Sequence, residues 1–404
     1  MDKAVSTILN MKTQGLAEKA FRLLGVVVWA QDTILGFVVQ IVRRLPIIGA
    51  FYEYVIPMII IGLTLFSLPL LLRRVRASDI AFYLICAVVV LGTMALNFKN
   101  SEYIKQDLLR ILVSALPMLF IGVTYSHEDS KSDLFWASLF GAAAVFLYQL
   151  YVLSLGYELN ADNMDTAYKV LPSVMYLIYW ALEHKKLWHW IIAGISMVMM
   201  FLFGTRGPIV AEIVFLLFGL FFSVLNRKSQ IAKRVWLIVF AVALVFICSG
   251  DNLIKAAEFL SEMFEDIGFS TRVFDRFIEG EIAEGSGRDT LYAAVKSAIS
   301  EKPIFGYGLM GDRPIVDIYV HNVFLEMWCH FGVIFGTASL LVMLGIPALA
   351  LLKSRKTSMF GFVLMLTCMV FVKLMLSGSY TTEAYLFLLL GVCLSILRGR
   401  NIES

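Results

Sequence analysis

Residues 322–352 read NVFLEMWCHFGVIFGTASLLVMLGIPALALL, and this stretch decides the fold class. It contains one acidic residue, Glu326, and neither Lys nor Arg. At about 1.5 Å of rise per residue, a helix of this length exceeds the roughly 30 Å hydrocarbon core of a bilayer. The apolar residues are continuous rather than alternating, so the stretch predicts a membrane-spanning helix.

The composition of the whole chain supports the same class. Of its 404 residues 59% are hydrophobic and 16% are charged, whereas roughly a quarter are charged in a soluble domain. The mean hydropathy is +0.80. Such a chain has too little polar surface to cover a water-soluble globule. These values exclude a cytosolic enzyme, a disordered chain and a disulfide scaffold, and the continuous apolar runs disfavour a β-barrel.

The apolar runs predict an all-α polytopic membrane protein with about 12 transmembrane helices and one helical loop domain on the outer face. The first run is interrupted by Gln31 and Asp32, so an amphipathic helix in the membrane plane is an alternative for it. The runs are 23–42, 54–72, 80–97, 108–125, 134–155, 168–183, 188–204, 208–225, 235–249, 322–352, 358–376 and 384–397.

The basic residues predict the orientation of these helices. With a cytoplasmic N-terminus, nineteen Lys and Arg residues fall in cytoplasmic segments and six in short outer loops, as the positive-inside rule requires. Arg43 and Arg44 are the exception. We therefore expect transmembrane helices 1–9 in residues 1–249, an outer helical loop in 250–320, and transmembrane helices 10–12 in 321–404.

The outer loop itself reads as three amphipathic helices. The first two are expected at 251–268 and 273–278, from the spacing of their apolar residues. The third begins at Ser286, with Asp289 three residues later as a capping box, and ends at Lys302-Pro303. We expect these helices to lie over the outer mouth of the bundle as a lid.

Charged side chains in or near the hydrocarbon region of a membrane cost free energy, so their positions indicate candidate functional sites. Arg206 lies in a tight turn between two predicted spans, Gly204-Thr205-Arg206-Gly207-Pro208, and Glu212 lies about 9 Å below it. Arg288 begins the third loop helix, and His321 lies where the loop re-enters the membrane. Arg110 and Lys373 lie near the outer ends of their spans.

Several charged and histidine residues also have a structural alternative. Lys and Arg at the ends of spans often extend to phospholipid headgroups, which applies to Arg110 and Lys373 more than to Arg206. Glu212 could be a structural ion-pair partner. His330, within a span, is expected to be a core histidine rather than a ligand.

The sequence does not predict a metal or nucleotide site. His321 and Glu326 are five residues apart, which does not place them on one helical face, and no further ligand stands at metal spacing. A GxxxxGK loop, a nucleophile elbow and a nucleic-acid signature are all absent from the sequence. Fixed cations with one histidine favour a lipid-linked phosphate substrate, since guanidinium groups bind phosphate and histidine can act as a base.

Four pieces of the sequence together resemble the O-antigen ligase and O-antigen/capsule polymerase superfamily of bacterial inner membranes. They cover about residues 200–335, in the order and with the large late loop that the family shows. The pieces are Gly204-Thr205-Arg206-Gly207, Gly287-Arg288-Asp289-Thr290-Leu291-Tyr292, Lys302-Pro303-Ile304-Phe305-Gly306-Tyr307-Gly308, and His321-Asn322-Val323-Phe324-Leu325-Glu326 followed by Gly332.

The resemblance implies an activity and roles for three residues. It implies transfer of a glycan from undecaprenyl pyrophosphate to an acceptor hydroxyl at the outer face, with neither metal nor cofactor. Arg206 and Arg288 would bind the pyrophosphate, and His321 would be the catalytic base, with inversion at the anomeric carbon. We expect further substrate contacts from Arg110, Lys373, Tyr307, Glu212 and Asn322.

Three functions remain open from the sequence. The first is a polymerase of lipid-linked repeat units, and the second is a ligase that transfers a finished glycan to lipid A core or to a protein. The third is a lipid-linked oligosaccharide flippase, which the dissimilar halves of the chain disfavour. Expected partners are the lipid-linked donor, a glycan or lipid acceptor, membrane lipids and a chain-length regulator, with no nucleic acid. The expected location is the bacterial inner membrane, with the active site facing the periplasm.

Overall fold

The computed structural model describes residues 2–34, 52–124, 127–154, 163–201, 206–225 and 288–399, together with residues 203 and 205 and scattered positions between 255 and 278. Within this part the chain forms helices and turns and no strand. A 3-10 turn covers Phe98–Asn100 and a π-helix covers Ile111–Ala115. The α-helices are α1 (Asp2–Trp29), α2 (Tyr52–Arg74), α3 (Ala77–Leu96), α4 (Ser101–Arg110), α5 (Leu116–Thr124), α6 (His127–Ser154), α7 (Asn163–His184), α8 (Leu187–Phe201), α9 (Arg206–Leu225), α10 (Asp289–Glu301), α11 (Arg313–Val316), α12 (Val323–Ser354), α13 (Met359–Leu376) and α14 (Ala384–Leu397).

The described helices include four that are long and apolar enough to cross a membrane. These are Val55–Arg74, Ser130–Tyr151, Val323–Ser354 and Met359–Leu376, and shorter apolar helices cover Leu187–Met200, Gly207–Phe222 and Ala384–Leu397. The all-α class is therefore confirmed for this part of the chain. The count of about 12 spans stays a prediction, and the expected span at 235–249 lies outside the described residues.

The structure refines three of the expected elements. The first helix ends at Trp29, and the following residues Ala30–Thr33 form a turn. The run at 108–125 is divided by the π-helix between α4 and α5. The third loop helix is confirmed as α10, which begins at Asp289, one residue after Arg288. Most of the first two expected loop helices lies outside the described residues.

The chain divides into two compact units, residues 1–137 with 290–404 and residues 138–289. In the first unit, α5 and α14 pack backbone to backbone. A side chain at Gly391 would stand 2.5 Å from the carbonyl oxygen of Leu119, and one at Gly122 would stand 2.6 Å from that of Leu388. Small residues allow this close approach, which is a common way for helices to associate in membranes.

The N-terminal helix α1 joins the same core through an aromatic contact. Trp29 and Tyr385 are both buried, and their ring centroids lie 5.6 Å apart in an edge-to-face arrangement. The hydroxyl of Tyr385 also donates a hydrogen bond of 2.9 Å to the carbonyl of Trp29. The end of α1 is thereby fixed against α14.

In the second unit, α7 lies at the centre and α9 runs parallel to it. Gly207, near the start of α9, lies against the hydroxyl of Tyr168, and Gly219 lies against the side chain of Leu182. The two contacts follow the same order along both helices, which defines their register. Four residues of α7 that are wholly buried are Val170, Leu171, Val174 and Met175.

We predict that Gly391→Ala destabilises the protein by about 1–3 kcal/mol, because the added methyl group forces α5 and α14 apart. Thermal unfolding of the purified protein in detergent would measure this as a lower Tm. The matched control is Gly62→Ala in α2, where an added side chain meets no atom within 4 Å. Equal Tm values for the two variants would contradict the close packing of α5 and α14.

Candidate functional site

The candidate site lies where the loop of residues 303–308, in the first unit, packs against an interruption of helix α12 at Gly332. Gly332 has non-helical dihedral angles (φ 74°, ψ 171°) within α12. The carbonyls of Cys329 and His330 accept hydrogen bonds of 2.8 Å from the backbone N–H groups of Tyr307 and Gly308. The N–H of Val333 donates to the carbonyl of Pro303 at 2.6 Å. The break therefore supplies backbone partners that hold the 303–308 loop in place.

Glycine is required at the break and in the docked loop. A side chain on Gly332 would collide with the carbonyl of Ile304. Gly306 and Gly308 have φ values of 65° and 82°, which favour glycine because other residues meet a steric penalty there. These glycines are part of the motif that carries the family resemblance.

Above the break, Asp312, Arg313 and His330 form a buried polar cluster. Nη1 of Arg313 lies 2.6 Å from Oδ2 of Asp312, and Nε2 of His330 lies 2.6 Å from Oδ1 of the same carboxylate. The Asp312 and His330 side chains are wholly buried, and that of Arg313 is 8% exposed. A desolvated carboxylate of this kind is stable only when charged or hydrogen-bonding partners surround it.

The pKa of Asp312 reflects these partners. Burial alone would raise the pKa, but the charge and hydrogen bond of His330 and the guanidinium of Arg313 bring it below its ordinary value. We therefore interpret Asp312 as ionised at neutral pH. His330 then donates from Nε2 to Asp312, and its Nδ1 lies 2.6 Å from the hydroxyl oxygen of Tyr380.

The loop between α13 and α14 closes the cluster from the other side. Ser379 donates a hydrogen bond to Glu326 of α12 and accepts one of 3.2 Å from Nη2 of Arg313. The backbone N–H of Tyr380 also donates to Glu326, at 3.3 Å. Burial, with the nearby carboxyl groups of Glu326 and Asp312, raises the pKa of Tyr380 well above its ordinary value, which keeps this hydroxyl a proton donor.

His321 lies next to the cluster and is half-buried. Its φ of 59° is in the left-handed region, and its Nδ1 lies 3.4 Å from the carbonyl oxygen of Ser377. The centroid of the Tyr319 ring lies 4.2 Å from that of the His321 ring and 5.4 Å from the guanidinium carbon of Arg313. The N–H of the preceding residue, Val320, donates to Asp312 at 3.2 Å. The cluster therefore fixes the backbone and the ring face of His321.

Asp312, Glu326 and His330 have the separation expected of metal ligands, with candidate ligand atoms within 4.8 Å of one another. Their chemistry favours an ion-pair network instead. Nη1 of Arg313 lies 2.6 Å from Asp312 and 3.6 Å from Glu326, so a guanidinium already supplies the positive charge that these carboxyl groups require. We interpret the group as structural.

The structure places His321, Asn322, Tyr307, Arg110 and Lys373 in the first unit and Arg206, Glu212 and Arg288 in the second. Asn322 caps α12, since its side-chain oxygen accepts from the N–H groups of Phe324 and Leu325 at 3.0 and 3.2 Å. Lys373 forms an ion pair of 2.7 Å with the buried Glu383.

The other expected substrate-binding residues have different surroundings. Tyr307 donates from its hydroxyl to Glu301 at 2.9 Å, and burial together with this bond raises its pKa. Arg110 ends α4, and Arg206 begins α9. Arg288 immediately precedes α10 and is half-buried, and Glu212 is wholly buried in α9. The substrate contacts of all these residues stay predictions.

Sequence reasoning missed most of the buried cluster. Asp312, Ser379 and Tyr380 carry no local sequence signal, and the sequence predicts an ordinary core histidine at His330. One signal was available, because Glu326 and His330 are four residues apart and so share a helical face within an apolar run. The partners from the α13–α14 loop are some 50 residues away in sequence, and no local pattern connects them.

Comparison with known protein families identifies part of the chain. Residues 191–341 match the family model described as O-antigen ligase. The matched stretch begins in α8 and ends in α12, and it contains Arg206, Arg288, His321 and the cluster residues Asp312, Arg313, Glu326 and His330. Neither the curated proteins nor the solved structures gave a match.

We predict that Asp312→Asn destabilises the protein by about 3 kcal/mol at neutral pH, because Arg313 loses its closest counter-charge in a buried setting. The contribution of an ionised Asp312 is present at neutral pH and is lost as the pH falls through its lowered pKa, so the Tm difference between the variant and the native protein should shrink in acid. Asp317→Asn, at an exposed position that also adopts a left-handed conformation, is the control and should leave Tm unchanged. A neutral effect of Asp312→Asn would show that the cluster does not depend on this charge.

Proposed function

We propose that this chain, whose residues 191–341 match the family model described as O-antigen ligase, polymerises lipid-linked polysaccharide repeat units. It is a membrane protein of polysaccharide biosynthesis, with glycosyltransferase-type chemistry. In the proposed reaction a glycan moves from undecaprenyl pyrophosphate to a hydroxyl group of an acceptor sugar. We assign the reaction to the periplasmic face of the inner membrane.

The observation that carries this proposal is the placement of His321. Its Nδ1 faces the carbonyl oxygen of Ser377, which favours the tautomer with the proton on Nδ1, so Nε2 is the basic nitrogen. The left-handed backbone conformation costs free energy and persists because the Asp312 cluster holds the adjoining peptide. Fixed orientation of this kind is what a general base requires.

The proposed step balances without a further reactant. Nε2 of His321 takes the proton of the acceptor hydroxyl while its oxygen attacks the anomeric carbon. The bond between that carbon and the pyrophosphate oxygen breaks, and the electron pair leaves with the pyrophosphate. Attack opposite the leaving group inverts the anomeric configuration. The imidazolium of His321 then loses its proton to water.

We assign Arg206 and Arg288 to the pyrophosphate. Negative charge grows on this group as the glycosidic bond breaks, and preplaced guanidinium groups can stabilise it. An arginine binds two phosphate oxygens through a planar fork of N–H groups, which a lysine cannot reproduce. In this proposal the two arginines provide the charge that a divalent cation provides in many phosphate-dependent enzymes.

The ligase reaction is the second candidate, because the matching family model is described as O-antigen ligase. A ligase would use the same donor and the same base, and would differ in its acceptor, a lipid A core or a protein. The acceptor supplied to the purified protein therefore separates the two functions. A flippase would move the lipid-linked glycan without changing its length.

We predict that native protein in liposomes, given a polyprenyl-pyrophosphate-linked repeat unit as sole substrate, produces a ladder of longer glycans. His321→Asn should lower the rate by at least about 100-fold, because a positioned base contributes at least that much, and should retain donor binding. Asn is chosen because it tolerates the left-handed conformation. Gel analysis of the released glycans measures the ladder.

The control for this experiment is His184→Ala, an exposed histidine of α7, which should give the native ladder. Transfer only after a lipid A core or protein acceptor is added would assign the ligase. Glycolipid that crosses the bilayer unchanged would assign the flippase. A full ladder from His321→Asn would refute the role of His321 as the base.

We also predict that Arg206→Lys and Arg288→Lys each raise the KM for the donor about tenfold or more and lower kcat, since each loses bidentate phosphate binding while keeping its charge. Lys296→Ala, at an exposed position on α10, is the matched control and should behave as the native protein. Steady-state kinetics with varied donor concentration measures both constants. Unchanged constants for the two lysine variants would remove the arginines from the pyrophosphate site.

A further inference from the structure

A second polar feature lies in the second unit, at Glu212 of α9. The side chain is wholly buried, and among the residues that the structure describes neither carboxyl oxygen has a hydrogen-bond partner. The apolar stretch of α9 around it, Gly207–Phe222, contains no other charged residue. An ionised carboxylate that is buried without a partner costs many kcal/mol, so this group must be neutral or must bind a cation.

The register of α7 and α9 places a second unpaired oxygen at the same level. Gly207 lies against Tyr168, and Glu212 and Ser173 each follow these contact points by five residues, or about 7.5 Å along parallel helices. Ser173 is 1% exposed, and its hydroxyl oxygen likewise has no hydrogen-bond partner in the described part of the chain. A carboxyl and a hydroxyl group that are both buried and unpaired in the described part of the chain therefore lie at the same depth of the two helices.

Among the side chains that the structure describes, no cation forms an ion pair with Glu212. Arg206 lies six residues earlier in α9, about 9 Å along the axis and roughly a third of a turn away around the helix. Lys169, the basic residue of α7 nearest in level, pairs with Asp165 and has a side chain that is 46% exposed. Tyr168 and Tyr176 are the neighbouring tyrosines of α7 at this depth.

The remaining titratable groups on the helices packed against α9 lie farther from Glu212 along the helix axes. Glu183 and His184 lie at the far end of α7, ten residues or more beyond Ser173. His189 is the titratable residue of α8, and it lies beside Trp180 near that same end. None of these groups stands level with Glu212.

A proton fits this position better than a metal ion does. Hard cations take six or more oxygen ligands. The unpaired buried side-chain oxygens in the described part of the second unit belong to Glu212, Ser173 and Thr205, which is too few. Protonation neutralises the carboxyl group directly and leaves it one O–H donor and an acceptor oxygen.

We propose that Glu212 is an intramembrane proton-binding site, protonated while α7 and α9 are packed together and ionised when they separate and water reaches it. The test of this proposal uses no substrate, so its outcome is separate from that of the glycan-transfer assays. The packed state then holds one proton more than the separated state. The packed helix pair must therefore become less stable as the pH rises. For one proton, the equilibrium constant for unfolding increases by up to tenfold per pH unit.

Infrared spectroscopy of the full-length protein in lipid nanodiscs tests the protonation directly. At pH 7, the difference spectrum between native protein and Glu212→Gln should contain the carbonyl band of a protonated carboxyl group. Glu212→Asp should shift this band rather than remove it. Glu102→Gln, which alters an exposed carboxylate on α4, is the matched control and should remove no such band.

A carboxylate band in place of the protonated band, or no band, would overturn the proposal. Thermal unfolding between pH 7 and pH 9 gives the second measurement, in which native protein should lose more stability than Glu212→Gln. A Tm of native protein that rises with sodium at constant ionic strength, and a Glu212→Gln variant that lacks this rise, would assign a cation site instead. A Glu212→Gln variant that loses glycan transfer but keeps the infrared band and the pH dependence of Tm of the native protein would argue against this proposal and would concern the proposed function only.

Discussion

The carboxylate of Asp312 is wholly buried and accepts hydrogen bonds from α12, from the adjoining Arg313 and from the backbone before His321. In a medium of low polarity an ionised carboxylate is stable only when such donors surround it. Removal of any one donor leaves the buried charge incompletely compensated and destabilises the fold. The helix, the loop and the histidine are therefore bound to a single anion. The need of this anion for donors acts together with the apolar contacts among Val320, Leu325 and Cys329 to set their relative positions.

Charge balance extends this constraint to Glu326 and the α13–α14 loop. With the carboxyl groups of Asp312 and Glu326 ionised, Arg313 charged and the imidazole of His330 neutral, the cluster carries one net negative charge. One added proton brings the net charge to zero. Ser379 and Tyr380 surround the acidic groups with hydroxyl and amide donors, and these donors disperse charge without adding any. The α13–α14 loop is thus held by the same electrostatic requirement as His321, although it lies outside the stretch that matches the O-antigen ligase family.

The helical class of the protein and several helix positions could be predicted from the sequence, because long apolar runs and periodic apolar faces are local signals. α10 was expected from such a face, and Val295, Ala298 and Ile299 are buried as that pattern requires. The buried cluster could not be predicted in the same way. The ionisation of Asp312 and the capping role of Asn322 depend on contacts between segments, and composition and spacing do not reveal which polar residues of a loop become desolvated.

The break at Gly332 has a consequence for how the site can vary among related chains. Its contacts with the 303–308 loop run from main chain to main chain, so they do not depend on the identity of the side chains, apart from the glycines that allow the approach. A shift of the loop by one residue would leave buried carbonyls of α12 without donors. The position of the 303–308 loop on α12 is thus encoded in backbone pairing, and substitutions of side chains outside these glycines leave that pairing intact.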